Sequence, residues 1–300
     1  MTIAPGLAPT SSRRPDRDCV ASGRNALDPG ALEWRVLVDP PATGPRNMGV
    51  DHALAACSRP GEAVLRIYRW SRPTVSFGRN EPARNHYDPA VRRQAGIEFV
   101  RRPTGGRAVL HDRELTYAAV FPLTGRGGLR ATYRLINRGL VEALCSLGVP
   151  AVMAEGRDSP AGLDSGPCFE EPAPGEVTVA GRKLVGSAQA RLEGALLQHG
   201  SLLIGAGQER LSALGATSAG FRTGVCAVET ERYGRVESPT SLEEVLGQVP
   251  PWYDLVDAVI SGLSGVAGGD WRRGELTEPE RVKTAELTEL YASAEWTWRR

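Results

Sequence analysis

The chain has 300 residues and carries 36 Lys+Arg against 35 Asp+Glu, a net charge of +1, so it lacks the basic excess of a dedicated nucleic-acid binder. Hydrophobic residues make up 41% and charged residues 24%, the usage of an ordinary globular protein long enough to bury a sizeable core. No apolar run approaches the roughly 20 residues that span a bilayer, and the N-terminus lacks a basic-then-apolar leader pattern; a soluble cytoplasmic protein without membrane or nucleic-acid partners is expected. The five cysteines, at 19, 57, 145, 168 and 226, form no CxxC and no paired spacing, which points to neither a disulfide framework nor a zinc site. Lys183 and Lys283 are the only lysines among the basic residues.

Residues 1–30, with Pro5, Pro9, Pro15 and Pro29 and little apolar periodicity, read as a disordered tail. Residues 31–300 read as one domain. A helix is expected over 47–56, strands over 63–70 and 74–77, a helix over 88–95 and a strand over 97–101. Two strands follow, over 107–111 and 115–121. Leu135, Ile136, Leu140, Leu144 and Leu147 repeat with the helical period and predict a helix over 132–147, with Cys145 as a buried apolar filler. Residues 156–175, rich in Gly, Pro, Asp and Ser, read as a loop. The segments 176–179 and 183–191 form a hairpin about Ala180-Gly181, and 196–204 is a strand. Two helices are expected in the C-terminal third, over 252–265 and 277–291, the second opened by the capping box Thr277–Glu280. Helices alternating with strands joined by hairpin-like turns predict an α+β fold, a mixed sheet flanked by helices.

The first stretch that suggests chemistry is Arg101-Arg102-Pro103-Thr104-Gly105-Gly106-Arg107-Ala108-Val109-Leu110-His111. Two arginines end a strand, and two glycines allow close backbone approach to a ligand. Neither the P-loop spacing nor GxGxxG is present. Downstream, Gly181-Arg182-Lys183-Leu184-Val185-Gly186-Ser187-Ala188-Gln189 is followed by Leu197-Gln198-His199-Gly200-Ser201-Leu202. Both stretches resemble signature motifs of the lipoate-protein ligase and octanoyltransferase superfamily. Asn47-Met48-Gly49-Val50-Asp51 and Pro73-Thr74-Val75-Ser76-Phe77-Gly78 fit its early motifs, and the matches run in family order over about 47–204.

The resemblance implies the biotin/lipoate protein ligase catalytic-domain fold for 31–300. By residue type alone, Lys183 is a solvated turn lysine and Cys168 a bystander thiol. The resemblance makes Lys183 the active-site lysine, and the Pro167-Cys168-Phe169 context resembles the nucleophile loop of the family's octanoyltransferases. It implies substrate contacts from Arg102, Thr104, Gly105, Gly106, Arg107, Ala108 and His111, and from Gly186, Ser187, Ala188, His199 and Gly200. The Gly105-Gly106 turn and Gly186–Ala188 are expected to line a narrow apolar tunnel for an eight-carbon chain. His111 and His199 are either structural or proton-transfer groups. Arg107 stands where the ligases commonly carry a third glycine that admits an adenylated acid, a departure toward the octanoyltransferases. The implied reaction moves octanoyl from octanoyl-acyl carrier protein through a Cys168 thioester to a lysine of a lipoyl domain of a 2-oxoacid dehydrogenase or of the glycine cleavage H protein, with no cofactor or metal. The alternatives are an ATP-dependent lipoate-protein ligase, an amidotransferase using the octanoylated H protein as donor, and a non-catalytic acyl- or lipoyl-domain-binding protein.

Overall fold

A computed structural model of the chain describes residues 32–84, 96–123, 128–155, 174–214 and 238–300. The expected tail over 1–30, the helix over 88–95, most of the loop over 156–175, and Cys19, Cys168 and Cys226 lie outside the described residues.

Apolar runs with two-residue alternation build the main sheet. Strand β1 (Glu33–Val38) pairs in parallel with β2 (Glu62–Tyr68). The small sheet consists of β3 (Thr74–Phe77), parallel to β4 (Glu98–Arg101) and antiparallel to β5 (Val109–His111). Strand β6 (Glu114–Pro122) lies antiparallel to β2, so the two strands expected around the turn at 112–113 belong to different sheets. The main sheet continues through β7 (Val152–Met153), β8 (Val177–Val179), β9 (Arg182–Leu192) and β10 (Ala195–Leu203), in the order β2-β6-β10-β9-β8-β7. At its other edge β11 (Asp270–Arg273) pairs in parallel with β1. Parallel and antiparallel pairs together make the sheet mixed.

Helices cover both faces. Leu115, Tyr117, Ala119 and Phe121 of β6 face a core shared with α2 (Leu129–Ser146) and, after α3 (Arg210–Leu214) and α4 (Leu242–Leu246), with α5 (Trp252–Ala267). Ala118 and Val120 face the opposite core, shared with α1 (Gly44–Ala56) and α6 (Glu278–Ala292). Each large apolar side chain fully removed from water in these layers stabilises the fold by about 1.5–3 kcal/mol. Helices α2 and α5 cross at glycines: a Cβ on Gly262 would lie 2.3 Å from the Gly139 carbonyl oxygen. Glu280 accepts a hydrogen bond from the Thr277 N–H at 2.7 Å, as the Thr277–Glu280 spacing predicts. The same carboxylate binds Arg35 on β1 at 2.9 Å, tying α6 to the sheet.

Two readings are corrected. Cys145 is exposed. The buried face of α2 runs through Leu135, Ile136, Gly139, Leu140, Ala143 and Leu144; one residue further turns the side chain 100° away, out to water. The C-terminal third contains more than two helices: β11 extends the main sheet, and α7 (Ala294–Thr297) with the residues after it braces the small sheet. There Trp298 packs against Phe77 and Phe99 with ring centroids 5.1 and 5.5 Å apart. The Trp296 Nε1–H donates to the Arg101 carbonyl at 2.9 Å, and Arg101 Nε returns a bond to the Thr297 carbonyl at 3.0 Å.

Candidate active site

A cavity lies between the α1-side face of the main sheet and the small sheet. Its empty volume, open mouth included, is about 420 Å³. Met48 of α1, Tyr68 and Trp70 at the end of β2, and Thr116 of β6 line it, as do Ser76 and Val109 of the small sheet. From β9 and β10 come Gly186, Ser187, Ala188, His199, Gly200 and Ser201, and Arg102 and His111 complete the wall. Gly200 is required by the sheet itself: a Cβ there would meet the Gly186 carbonyl oxygen at 2.4 Å and Tyr117 Cε1 at 2.8 Å.

Two buried acid–histidine pairs brace this wall. Asp51, fully buried on α1, accepts from Arg66 at 2.7 Å, from the Tyr68 hydroxyl at 2.9 Å and from His199 Nδ1 at 3.0 Å. Burial alone would raise its pKa, but the His199 hydrogen bond and the Arg66 charge hold the carboxyl below the usual carboxylate value. Burial pushes His199 in the direction that keeps it neutral, down from its ordinary value, against the pull of Asp51. Because the carboxylate can only accept, Nδ1 carries the proton, and Nε2 accepts from the Thr104 hydroxyl at 2.6 Å. The second pair is His111, whose Nδ1 donates to Glu114 Oε1 at 2.7 Å while Nε2 lies 2.7 Å from Ser76 Oγ. The His111 ring stacks on Trp70 at 4.0 Å. Glu114 Oε1 also accepts from Thr116 at 2.6 Å and Ser201 at 2.8 Å, whereas its Oε2 is buried with no hydrogen-bond partner among the described residues.

The Gly-rich turn is folded by Arg102. Its guanidinium donates to the carbonyls of Ser76 at 2.9 Å, Gly105 at 2.7 Å and Arg107 at 2.8 Å. This folds the turn back over the end of β3. A Cβ on Gly78 would lie 1.7 Å from the Gly106 carbonyl oxygen, so the glycine of the early motif exists to admit the turn. Gly106 itself has φ +90°, a conformation that favours glycine. Gly105 and Gly106 are exposed and do not belong to the wall of this cavity. Thr104 meets the cavity wall at His199. Arg107 and Ala108 are buried beside the turn, the Ala108 N–H donating to Glu81 at 2.9 Å.

Lys183 is aimed by local backbone chemistry. Ala180 and Gly181 have φ of 49° and 80°, the positive pair that a tight two-residue hairpin requires. Beyond the turn Lys183 pairs with Thr178 but Val185 pairs with Val177, so Leu184 is an extra residue, a β-bulge. Val177, Val179 and Val185 face the α2 core. The alternation along β8 then places Thr178 and Lys183 on the opposite face, the one Gly186 and Ala188 present to the cavity. Without the bulge, Lys183 would point to the α2 side. The side chain is 2% exposed and its Nζ lies 2.8 Å from Glu176 Oε1, itself buried. Lys183 is not part of the cavity wall; it stands beyond Gly186 on the same face. Lys283, by contrast, is on the surface of α6 and pairs with Glu286 at 3.0 Å.

Of the residues expected from sequence, the cavity wall brings together Arg102, His111, Gly186, Ser187, Ala188, His199 and Gly200. Met48, Tyr68, Trp70, Ser76, Val109, Thr116 and Ser201 join them, with Asp51, Glu114 and Glu176 behind the wall. Met48, Asp51, Ser76, Val109 and Ser201 fall within the motifs and Glu176 stands seven residues before Lys183, the signals that could have found them; Tyr68, Trp70, Glu114 and Thr116 lie in plain strand or loop sequence with none.

A profile of the lipoyl protein ligase A/B catalytic domain matches residues 44–264, which include every element around the cavity. The chain belongs to this family. It is 38% identical to the octanoyltransferase LipM of Kyrpidia tusciae over 89% of this chain and 99% of that protein. The octanoyltransferase LipM of Symbiobacterium thermophilum is 36% identical, over 89% of this chain and 98% of its own. The fold agrees with a chain from the structure of a bipartite lipoate protein ligase and its E2 lipoyl domain from Thermoplasma acidophilum. The TM-score is 0.69 at 24% identity, with 89% of this chain and 96% of that one covered.

Proposed function

We propose that residues 31–300 act as one catalytic domain that transfers an octanoyl group from the thioester of an acyl carrier protein to a lysine side chain. The acceptor is a lipoyl domain of a 2-oxoacid dehydrogenase or the glycine cleavage H protein. The observation that carries this reading is the near full-length match to relatives named as octanoyltransferases; the motif residues Cys168, Lys183 and Arg107 agree with it. The apolar lining of the cavity by Met48, Tyr68, Trp70 and Val109 supports an acyl tail as its occupant, since each buried CH₂ contributes about 0.8 kcal/mol.

In this reading the Cys168 thiolate attacks the donor carbonyl carbon. A new C–S bond forms, the old one breaks and the carrier thiolate leaves. The acceptor amine then attacks the acyl-cysteine: a C–N bond forms, the Cys168 thiolate is released, and the amine proton passes to solvent. Splitting the transfer this way uses a good nucleophile twice. Both tetrahedral intermediates put negative charge on the former carbonyl oxygen, and the compact Lys183 ammonium stabilises it. His199, held neutral, and His111 shape the cavity wall.

The test supplies octanoyl-acyl carrier protein and an apo lipoyl domain with ATP omitted. Octanoylated lipoyl domain is the expected product. Product formed only from free octanoate with ATP, with release of pyrophosphate, would instead assign an adenylating ligase.

A further inference from the structure

Beside the Gly-rich turn stands a cluster of arginines. Arg79, just past β3, donates its N–H to the Thr104 carbonyl at 2.7 Å. The Thr104 hydroxyl in turn meets His199 of the cavity wall at 2.6 Å. Arg299 Nη2 donates to the Arg79 carbonyl at 2.7 Å, and its guanidinium lies 3.9 Å from the centre of the Trp296 ring. The Arg300 main-chain oxygen accepts from the N–H groups of Ala83 and Arg84 at 3.0 and 2.8 Å. Arg101, fully buried at the end of β4, donates to the Gly78 carbonyl at 2.6 Å and to the Glu81 carbonyl at 2.7 Å.

The cluster has donors left over. Arg101 Nη2 and Arg299 Nε are buried with no hydrogen-bond partner among the described residues. Among the described residues no carboxylate forms an ion pair with Arg79, Arg101, Arg299 or Arg300. Glu81 is near, but its two oxygens accept from the Gly78 and Ala108 N–H groups, each at 2.9 Å. Burial and the charges of Arg299 and Arg300 bring Arg101 down to about 10 against the pull of Glu81. Burial and the charges of Arg79 and Arg300 lower Arg299 as well. Orphaned donors among like charges cost stability, and a bound anion offsets both penalties. Arg79 and Arg300 are exposed, so the cluster opens to water.

We infer that Arg79, Arg299 and Arg300, with Arg101 behind them, form the site for the phosphate of the donor's pantetheine arm. A phosphate offers several acceptor oxygens and matches the guanidinium fork. The arm that carries a carrier-protein thioester ends in such a phosphodiester. The exposed Gly105-Gly106 turn adjoins both the cluster and the cavity wall, and it presents no side chain to an arm laid across it. The inference rests on the proposed thioester donor.

Binding is measured first, without turnover, on the full chain at fixed ionic strength. At a tenfold excess over its Kd, 4′-phosphopantetheine is expected to raise the melting temperature by about 2–4 °C. Pantetheine, which lacks only the phosphate, is expected to raise it less. The difference should vanish in Arg79→Gln and in Arg300→Gln. Both substitutions remove a like charge from the cluster, so neither variant should melt below wild type without ligand; either carries the test if the other does not fold. In turnover, kcat/KM for octanoyl-phosphopantetheine should exceed that for octanoyl-pantetheine by about tenfold or more, and the ratio should fall to near one in both variants. Equal melting shifts from phosphopantetheine and pantetheine overturn the inference, as does a difference that persists in both variants. A shift that inorganic phosphate reproduces in full, with a turnover ratio near one in wild type, overturns the assignment to the donor. The melting shifts do not depend on turnover, so a wild-type protein inactive with the thioester donor would fail the functional reading and leave the binding result standing.

Discussion

Ala188 faces the cavity from β9, directly across the ladder from His199. Replacing it by valine adds two methyl carbons to a wall whose neighbours cannot retreat: His199 is held by Asp51 at 3.0 Å and Thr104 at 2.6 Å, and Gly186 is pressed against Gly200. The added carbons must displace an equivalent length of acyl chain. Losing the burial of two CH₂ groups costs about 1.6 kcal/mol, or about fifteenfold in kcat/KM. A hexanoyl donor, two carbons shorter, would not suffer this loss. The ratio of kcat/KM for octanoyl- over hexanoyl-acyl carrier protein should therefore fall about fifteenfold in Ala188→Val. An unchanged ratio at unchanged stability would mean that the acyl chain does not lie along β9, and the assignment of the cavity would fail with it.

Other outcomes follow from the same contacts. Gly200→Ala places a Cβ 2.4 Å from a backbone oxygen; the forced shift should cost about 1–3 kcal/mol and lower the melting temperature by several degrees, whereas an unchanged melting curve would show that the two strands can separate freely. Trp298→Ala removes two aromatic pairs from the C-terminal brace, each about 0.5–1.5 kcal/mol beyond its burial. Because the small sheet roofs the cavity, KM for the donor should rise as stability drops, and a drop in stability alone would separate the brace from the site. Stability should also depend on pH through His199 and His52, both held below the ordinary imidazole value of 6.5 by burial. The unfolded chain takes up protons near that value and the folded one resists them, so stability is complete above pH 6.5 and falls as the pH drops below it. Melting temperatures at pH 8 and pH 5.5 check the sign, and a flatter profile is expected for His199→Gln.

Much of this architecture can be read along the chain because its signals are local. The period of Leu135, Ile136, Leu140 and Leu144 defines α2, and Ala180-Gly181 defines the hairpin that carries Lys183. Strand β11 gives no such signal. Its Asp-Trp-Arg-Arg is mostly exposed, and it is a strand only because the edge of β1, more than two hundred residues earlier, offers it hydrogen bonds. Cys145 shows the opposite error, since one position on a helix decides between core and water. In the site, the motifs bring out the glycines, His111, His199 and Lys183. The carboxylates behind them are found only in space: Asp51 meets His199 across 148 residues, and Glu114 gathers Trp70, just past β2, and Ser201 of β10. The close approach of Gly106 to Gly78 is likewise a contact between distant segments that only the fold brings out.

The proposed transfer stands on a covalent octanoyl-cysteine, which a peptide-mapped mass spectrum of the full chain, taken after mixing with octanoyl-acyl carrier protein in the absence of acceptor, detects. One octanoyl adduct is expected, on Cys168 rather than on any of the other four cysteines, lost in Cys168→Ser and discharged when an apo lipoyl domain is added. Transfer to the lipoyl domain at an undiminished rate by Cys168→Ser, or an adduct that maps elsewhere and is equally competent, would contradict it.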